Sequence, residues 1–185
     1  MADTSGAWNL ILVDRDHYIP ANYQVELTEL SNGEKVDSRI YLELQQMFDD
    51  ARAAGLALFV REGYRTTKEQ QQIMDDRIKE HENQGCSKKE AKKKAEEYVA
   101  IPGTSEHQLG LSVDINADTS KCSSDAVYQW LDENAYKYGF VKRYPEDKTD
   151  ITSINNEPWH YRYVGKDAAR TMKQENLCLE EYLIK

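Results

Sequence analysis

The sequence predicts an α+β fold: a small, mainly antiparallel sheet carrying the functional site, with helices packed around it. Three observations lead there. Leu111, Val113 and Ile115 alternate with Ser112, Asp114 and Asn116, the period of two expected of a half-buried strand. Two stretches, 39–54 and 126–138, repeat apolar residues at helical spacing. The other apolar runs are short and separated by turn residues, with no internal repeat and no linker. A chain of 185 residues with this pattern reads as one domain, 1–185, large enough to bury a core.

Taken in order, residues 8–13 read as a first strand, rich in branched side chains and closed by Asp14-Arg15-Asp16. A short strand at 24–27 and a turn at Ser31-Asn32-Gly33 follow. Asp37 and Ser38 can cap a helix over 39–54, whose Ile40, Leu44, Met47 and Phe48 share a face and which Gly55 ends. Residues 56–60 form a buried strand leading into Glu62-Gly63-Tyr64-Arg65. Thr67 with Gln70 has the spacing of a capping box and opens a helical hairpin insertion at 68–99, with helices over 68–82 and 87–99 broken at Asn83-Gln84-Gly85. Its Lys-rich second arm reads as a solvated face with a Glu90–Lys94 pair at i,i+4.

Beyond the strand at 111–116, a polar loop leads to a helix over 126–138 with Val127, Trp130, Leu131 and Tyr138 inward, stopped by Gly139. Strands at 140–144 and 160–164 and helices at 166–175 and 179–184 complete the pattern. The 33 acidic against 24 basic residues leave a net charge of −9, which argues against nucleic-acid partners and against docking on anionic lipid. No run of about 18 apolar residues could span a membrane, and no signal-peptide pattern is present. Cys86, Cys122 and Cys178 are odd in number and lack C-x-x-C spacing, so no disulfide framework is expected. Nothing in the sequence speaks for an oligomer, and a monomer is the simplest expectation.

The chemistry concentrates in two stretches. Residues 102–115, P-G-T-S-E-H-Q-L-G-L-S-V-D-I, hold His107 and Asp114; far downstream stands Glu157-Pro158-Trp159-His160. Catalytic zinc commonly takes three protein ligands from His nitrogen and carboxylate oxygen, leaving a fourth position for water. A further carboxylate must move that water's proton to the leaving group. His107, Asp114 and His160 as ligands of one zinc per chain, with Glu157 as base, match those needs. Pro158 biases Glu157 to extended or polyproline II backbone, where residues three apart can share a face. Spacing alone does not show that residues 107 and 160 meet. His17 and His81 read as ordinary polar histidines.

The pattern S-x-H-x-x-G-x-x-x-D followed by E-P-W-H resembles the VanY-type D-alanyl-D-alanine carboxypeptidases, zinc peptidases grouped with lysostaphin-type enzymes and hedgehog domains. Glu62-Gly63-Tyr64-Arg65-Thr66-Thr67 with Gln70, Gly139-Phe140, Arg143-Tyr144-Pro145 and the run 160–165 extend the resemblance over most of the chain. It implies a zinc-dependent D,D-carboxypeptidase acting on peptidoglycan stem peptides ending in D-Ala-D-Ala, with a contribution to glycopeptide resistance. It also implies that Arg65 donates to the scissile carbonyl or the terminal carboxylate, and that Gln70 and Ser105 complete the pocket for the C-terminal D-alanine. Trp159 either walls that pocket and steadies Glu157 or packs in the core. The family implies an extracytoplasmic location with an N-terminal anchor outside this sequence, while a cytoplasmic start is equally compatible with the residues. An L,D-carboxypeptidase, a D-Ala-D-Ala dipeptidase and a non-catalytic zinc-stabilised cell-wall binding module stay open.

Overall fold

A computed structural model describes residues 1–185. Its elements are a hairpin of β1 (Leu27–Glu29) and β2 (Lys35–Asp37), α1 (Tyr41–Ala53), β3 (Leu58–Glu62), α2 (Thr67–Asn83), α3 (Lys88–Ala95), β4 (Ser112–Ala117), α4 (Ser124–Asn134), β5 (Phe140–Lys142), α5 (Thr149–Thr152), β6 (His160–Tyr163), α6 (Lys166–Glu175) and α7 (Leu179–Leu183). The four longer-range strands form one antiparallel sheet in the order β3-β4-β6-β5. This is the α+β architecture expected. No helix is long and apolar enough to cross a membrane.

One face of the sheet rests on the main core. Val113, Ile115 and Ala117 of β4 join Leu44, Met47 and Phe48 of α1 and Val127 and Leu131 of α4, all buried. α1 buries Leu44, Met47, Phe48 and Ala51, the i, i+3, i+4, i+7 stripe of an amphipathic helix. The opposite face of β4 carries Ser112 and Asp114 and is buried too, so the polar side of the alternation faces an enclosed site instead of solvent.

Several sequence expectations shift. Residues 8–13 are not a strand: Trp8–Leu10 is a 3-10 turn. Ile11 and Val13 are buried as their branched side chains suggest, but the carbonyls of Asn9 and Ile11 accept hydrogen bonds from the Arg162 guanidinium, which replaces a partner strand. The capping box of α2 is Thr66 with Glu69, one residue earlier than Thr67 with Gln70. That register leaves Thr67 Oγ free to accept from Gln108 and turns Gln70 inward. Glu90 does not pair with Lys94; it closes a capping box with Ser87, and Lys94 reaches Cys86 Sγ.

Candidate active site

The site is assembled by strand register. β4 pairs antiparallel with β6 so that Asp114 stands directly opposite His160, and β3 pairs on the other side with Glu62 opposite Asp114. Directly opposed residues have Cβ atoms about 5 Å apart, close enough to share an ion. The β3 register shifts between Val60 and Glu62, a bulge just before the strand ends and Gly63 follows. Only glycine fits there: a Cβ on Gly63 would lie 2.2 Å from the Lys35 carbonyl oxygen, the group that accepts from Tyr64 N–H. The bulge aims the Gly63 carbonyl at His107 Nδ1, 2.8 Å away.

His107 sits in a 3-10 turn, Glu106–Leu109, ended by Gly110 in the left-handed region at φ 75°. The Arg65 amide donates to the His107 carbonyl at 3.1 Å, binding this turn to the end of β3. The turn's Gly110 carbonyl also accepts from the Asp37 amide, tying in β2.

His107 Nε2 lies 3.2 Å from Asp114 Oδ1, and His160 Nδ1 lies 3.1 Å from the same oxygen. One donor atom from each of the three residues lies within 4.8 Å of the others, and all three residues are buried. Two imidazole nitrogens and one carboxylate oxygen, converging at the buried floor of a cleft, fit a small divalent ion such as zinc, whose bonds to such ligands run about 2.0–2.2 Å. Glu157 Oε2 stands 3.6 Å from His160 Nδ1, on the same side as the converging donors.

The charges are strongly perturbed. Burial pulls Asp114 upward, but the two histidines beside it outweigh that and hold its carboxyl well below the ordinary range. Burial also lowers His107. It would lower His160 too, yet hydrogen bonds to Asp114 and Glu106 raise that imidazole to about 9. Glu157, walled from water, rises to about 7, with His160 opposing the shift. A carboxylate poised near neutrality suits a proton shuttle.

Arg65 reaches in from the rim. Its Nη2 is 3.5 Å from Asp114 Oδ2, its Nε 2.9 Å from Glu62, and its Nη1 donates to Gln70 Oε1 at 3.1 Å. The Gln70 amide nitrogen donates to the Ala100 carbonyl, so Gln70 is buried and engaged at both ends, holding Arg65 as well as lining the site. Ser105 is buried and Trp159 half-buried beside the cluster; the Trp159 carbonyl accepts from the Ile115 amide, which fixes the chain between Glu157 and His160. All eight residues singled out in the sequence line one cleft of about 300 Å³.

Other lining residues carried no sequence signal: Arg61, 3.6 Å from Asp114 Oδ2, and Ile73, Arg77 and His81 along one face of α2. Tyr144, part of the Arg143-Tyr144-Pro145 match, sets its ring at a tilt 4.9 Å from that of His160. His81, read as an ordinary polar residue of a charged helix, stands on the cleft wall. Glu106, within the same motif as His107, has its carboxylate wholly buried between Arg143 and Arg162. Burial would raise its pKa, and the two guanidiniums more than reverse this, holding it well below the ordinary range.

A buried His–Asp–His cluster with an adjacent carboxylate, set on a four-stranded antiparallel sheet at the floor of a cleft, is the layout of a single-metal peptidase. Comparison with known proteins narrows this. Residues 33–166 match the family model VanY, D-alanyl-D-alanine carboxypeptidase. A D-alanyl-D-alanine carboxypeptidase of Enterococcus faecalis is 57% identical over 176 residues, covering 95% of this chain and 66% of that protein. The structure of VanYB in complex with D-alanine-D-alanine superimposes with a TM-score of 0.95 at 56% identity, over 97% of this chain and 99% of that one. A mutant of the vancomycin-resistance D,D-pentapeptidase VanY in complex with Zn(II) does so with a TM-score of 0.94 at 57% identity, over 96% and 99%. The chain belongs to the VanY D-alanyl-D-alanine carboxypeptidase family. It spans about two thirds of the length of the Enterococcus faecalis relative.

Proposed function

We propose that this chain is a zinc-dependent D,D-carboxypeptidase that removes the terminal D-alanine from peptidoglycan stem peptides ending in D-Ala-D-Ala, on the outer side of a bacterial membrane. The observation that carries the reading is the convergence of His107 Nε2, Asp114 Oδ1 and His160 Nδ1 with Glu157 beside them. The zinc- and D-Ala-D-Ala-bound relatives support the metal and the substrate class, and the vancomycin-resistance setting of one of them supports a contribution to glycopeptide resistance.

His107, Asp114 and His160 would hold the ion. When bound, zinc supplies Lewis-acid polarisation and lowers the pKa of a water molecule toward neutrality. Glu157 takes the proton of the attacking water as the new C–O bond forms at the scissile carbonyl. It then delivers that proton to the departing D-alanine nitrogen as the C–N bond breaks. Arg65 donates to the developing oxyanion through its planar guanidinium. Ser105 and Gln70 border the place of the terminal carboxylate, and Trp159 screens Glu157 from water. Residues 1–185 act as one catalytic domain, and the 68–99 hairpin forms one wall of the substrate cleft.

Release of D-alanine from a synthetic pentapeptide stem, with chelator and with zinc restored, tests this directly. Release that stops with chelator and returns with zinc is expected. Release from tetrapeptide but not pentapeptide would replace the reading with an L,D-carboxypeptidase, and release from free D-Ala-D-Ala alone with a dipeptidase. Zinc retained without hydrolysis of any of the three would point to a binding module.

A further inference from the structure

We infer that Glu106 is a positioning residue for the metal site: its carboxylate turns the His160 imidazole so that Nδ1 faces the ion, and an Arg143–Glu180 clamp from the C-terminal helix holds that carboxylate in place. The inference rests on reading His160 as a metal ligand.

The two histidines present opposite nitrogens. His107 points Nε2 at Asp114, with Nδ1 directed at the Gly63 carbonyl. His160 points Nδ1 at Asp114 and lies with Nε2 3.4 Å from Glu106 Oε2. A carbonyl and a carboxylate can only accept, so each matches a ring nitrogen that carries the proton. In both neutral rings the lone pair then lies on the nitrogen that faces Asp114. Partners of this kind orient metal-bound histidines generally, and their loss typically weakens metal binding by about 10- to 100-fold.

Glu106 is fixed for this task. Its side chain has no exposed surface. Oε1 accepts from Arg143 Nε at 2.7 Å and from Arg162 Nη1 at 2.8 Å, which commits that oxygen to two guanidiniums. Oε2, left facing the site, accepts from Ser112 Oγ at 3.1 Å and meets His160. Arg143 is itself held by Glu180 of α7 through a two-pronged pair at 2.9 and 2.6 Å. A run of contacts thus joins the last helix to the second histidine: Glu180, Arg143, Glu106, His160. Glu106 does not line the cleft, and the lining side chain its carboxylate meets is His160.

Glu106→Gln separates this role from simple charge neutralisation. Arg143 and Arg162 can be satisfied only by the glutamine carbonyl oxygen, which leaves the NH₂ group facing His160 Nε2. A donor there demands that Nε2 accept, and the proton moves to Nδ1, the atom the metal needs. Zinc affinity, measured by competition with a chromogenic chelator, is expected to fall about 10- to 100-fold. Glu106→Asp keeps the charge between the arginines but draws it back from the ring, and a comparable fall is expected. Long-range proton–nitrogen correlation spectra of zinc-loaded wild-type protein should place the proton on His160 Nε2. Should the glutamine variant fail to fold, the aspartate variant and the wild-type spectrum decide. Wild-type zinc affinity in a folded variant, or a proton on His160 Nδ1, overturns the inference. Failure of the wild-type protein to bind zinc overturns the metal reading itself.

Discussion

The floor and the wall of the cleft are held by opposite means. The floor, β4 against β6, is fixed by pairing between residues 46 positions apart in sequence, Asp114 and His160, and is backed by a cluster of 22 buried residues. The wall, α2 and α3 with the segment that follows, rests on a small core of Met74, Ala95 and Val99, with Ile73, Ile78 and Ile101 packed against it. Each of its helices starts with its own capping box, Thr66–Glu69 and Ser87–Glu90. The floor is a long-range construction in which one displaced strand would scatter the metal donors. The wall is a local one that can tolerate change in its exposed parts. Damage to the floor should therefore abolish chemistry, and damage to the far end of the wall should cost only stability.

The largest expected effect is at the floor's centre. Asp114→Ala removes the oxygen on which both imidazoles converge, and both zinc content and D-alanine release should drop to background. Metal analysis showing one zinc per chain in that variant would break the contrast. Glu157→Gln should retain zinc while kcat falls by about 10²- to 10⁴-fold, the usual contribution of a positioned acid–base group. A wild-type rate in that variant would remove Glu157 from the mechanism.

Next comes a pH effect in metal-free protein. Both His160, at about 9, and Glu157, at about 7, bind their protons more tightly in the folded chain than in the ordinary state. Glu157's share of stability is present below its ordinary 4.5 and lost as pH rises through 7; His160's is present below 6.5 and lost as pH rises through 9. Asp114 and Glu106, shifted the other way, contribute stability above their ordinary values that is lost in acid. Urea denaturation in chelator should therefore show midpoints that fall from about pH 5.5 to 9. Glu157→Gln should erase the part of the decline below pH 7. A rising midpoint would show that the floor's charges are not coupled as described.

The smallest effect belongs to the wall. Ser87→Ala deletes the α3 cap and should lower stability by about 1 kcal/mol while leaving kcat unchanged, by denaturation and turnover measured on one preparation. A large loss of activity would mean that the hairpin's tip is part of the chemistry.

The sequence carried the site's ingredients unevenly. His107, Asp114 and Glu157-Pro158-Trp159-His160 stood out because their residue types match metal and acid–base chemistry and their spacing resembles a family pattern. Glu106 did not stand out. It is adjacent to His107, and what marks it is contact with Arg143 and Arg162, 37 and 56 residues on. Arg61 and the α2 face with Arg77 and His81 were equally silent, because which side of a polar helix lines a cleft depends on what packs against it. The strand read at 8–13 failed for a related reason. Its branched residues signalled burial correctly, but an arginine from β6 took the carbonyls that a neighbouring strand would have used.

What the sequence by itself determined was local: helix stripes and stops, the alternation of β4, and the kinds of donor available for a metal. These follow from backbone periodicity and side-chain chemistry, which neighbours in the chain largely decide. What only the tertiary structure decided was register and orientation. Asp114 opposite His160, a glycine bulge that turns a carbonyl onto His107, and a buried carboxylate that turns His160 the other way each depend on groups brought together from distant parts of the chain. A metal ion needs its donors within a few ångströms and correctly oriented, and only the packed sheet supplies that.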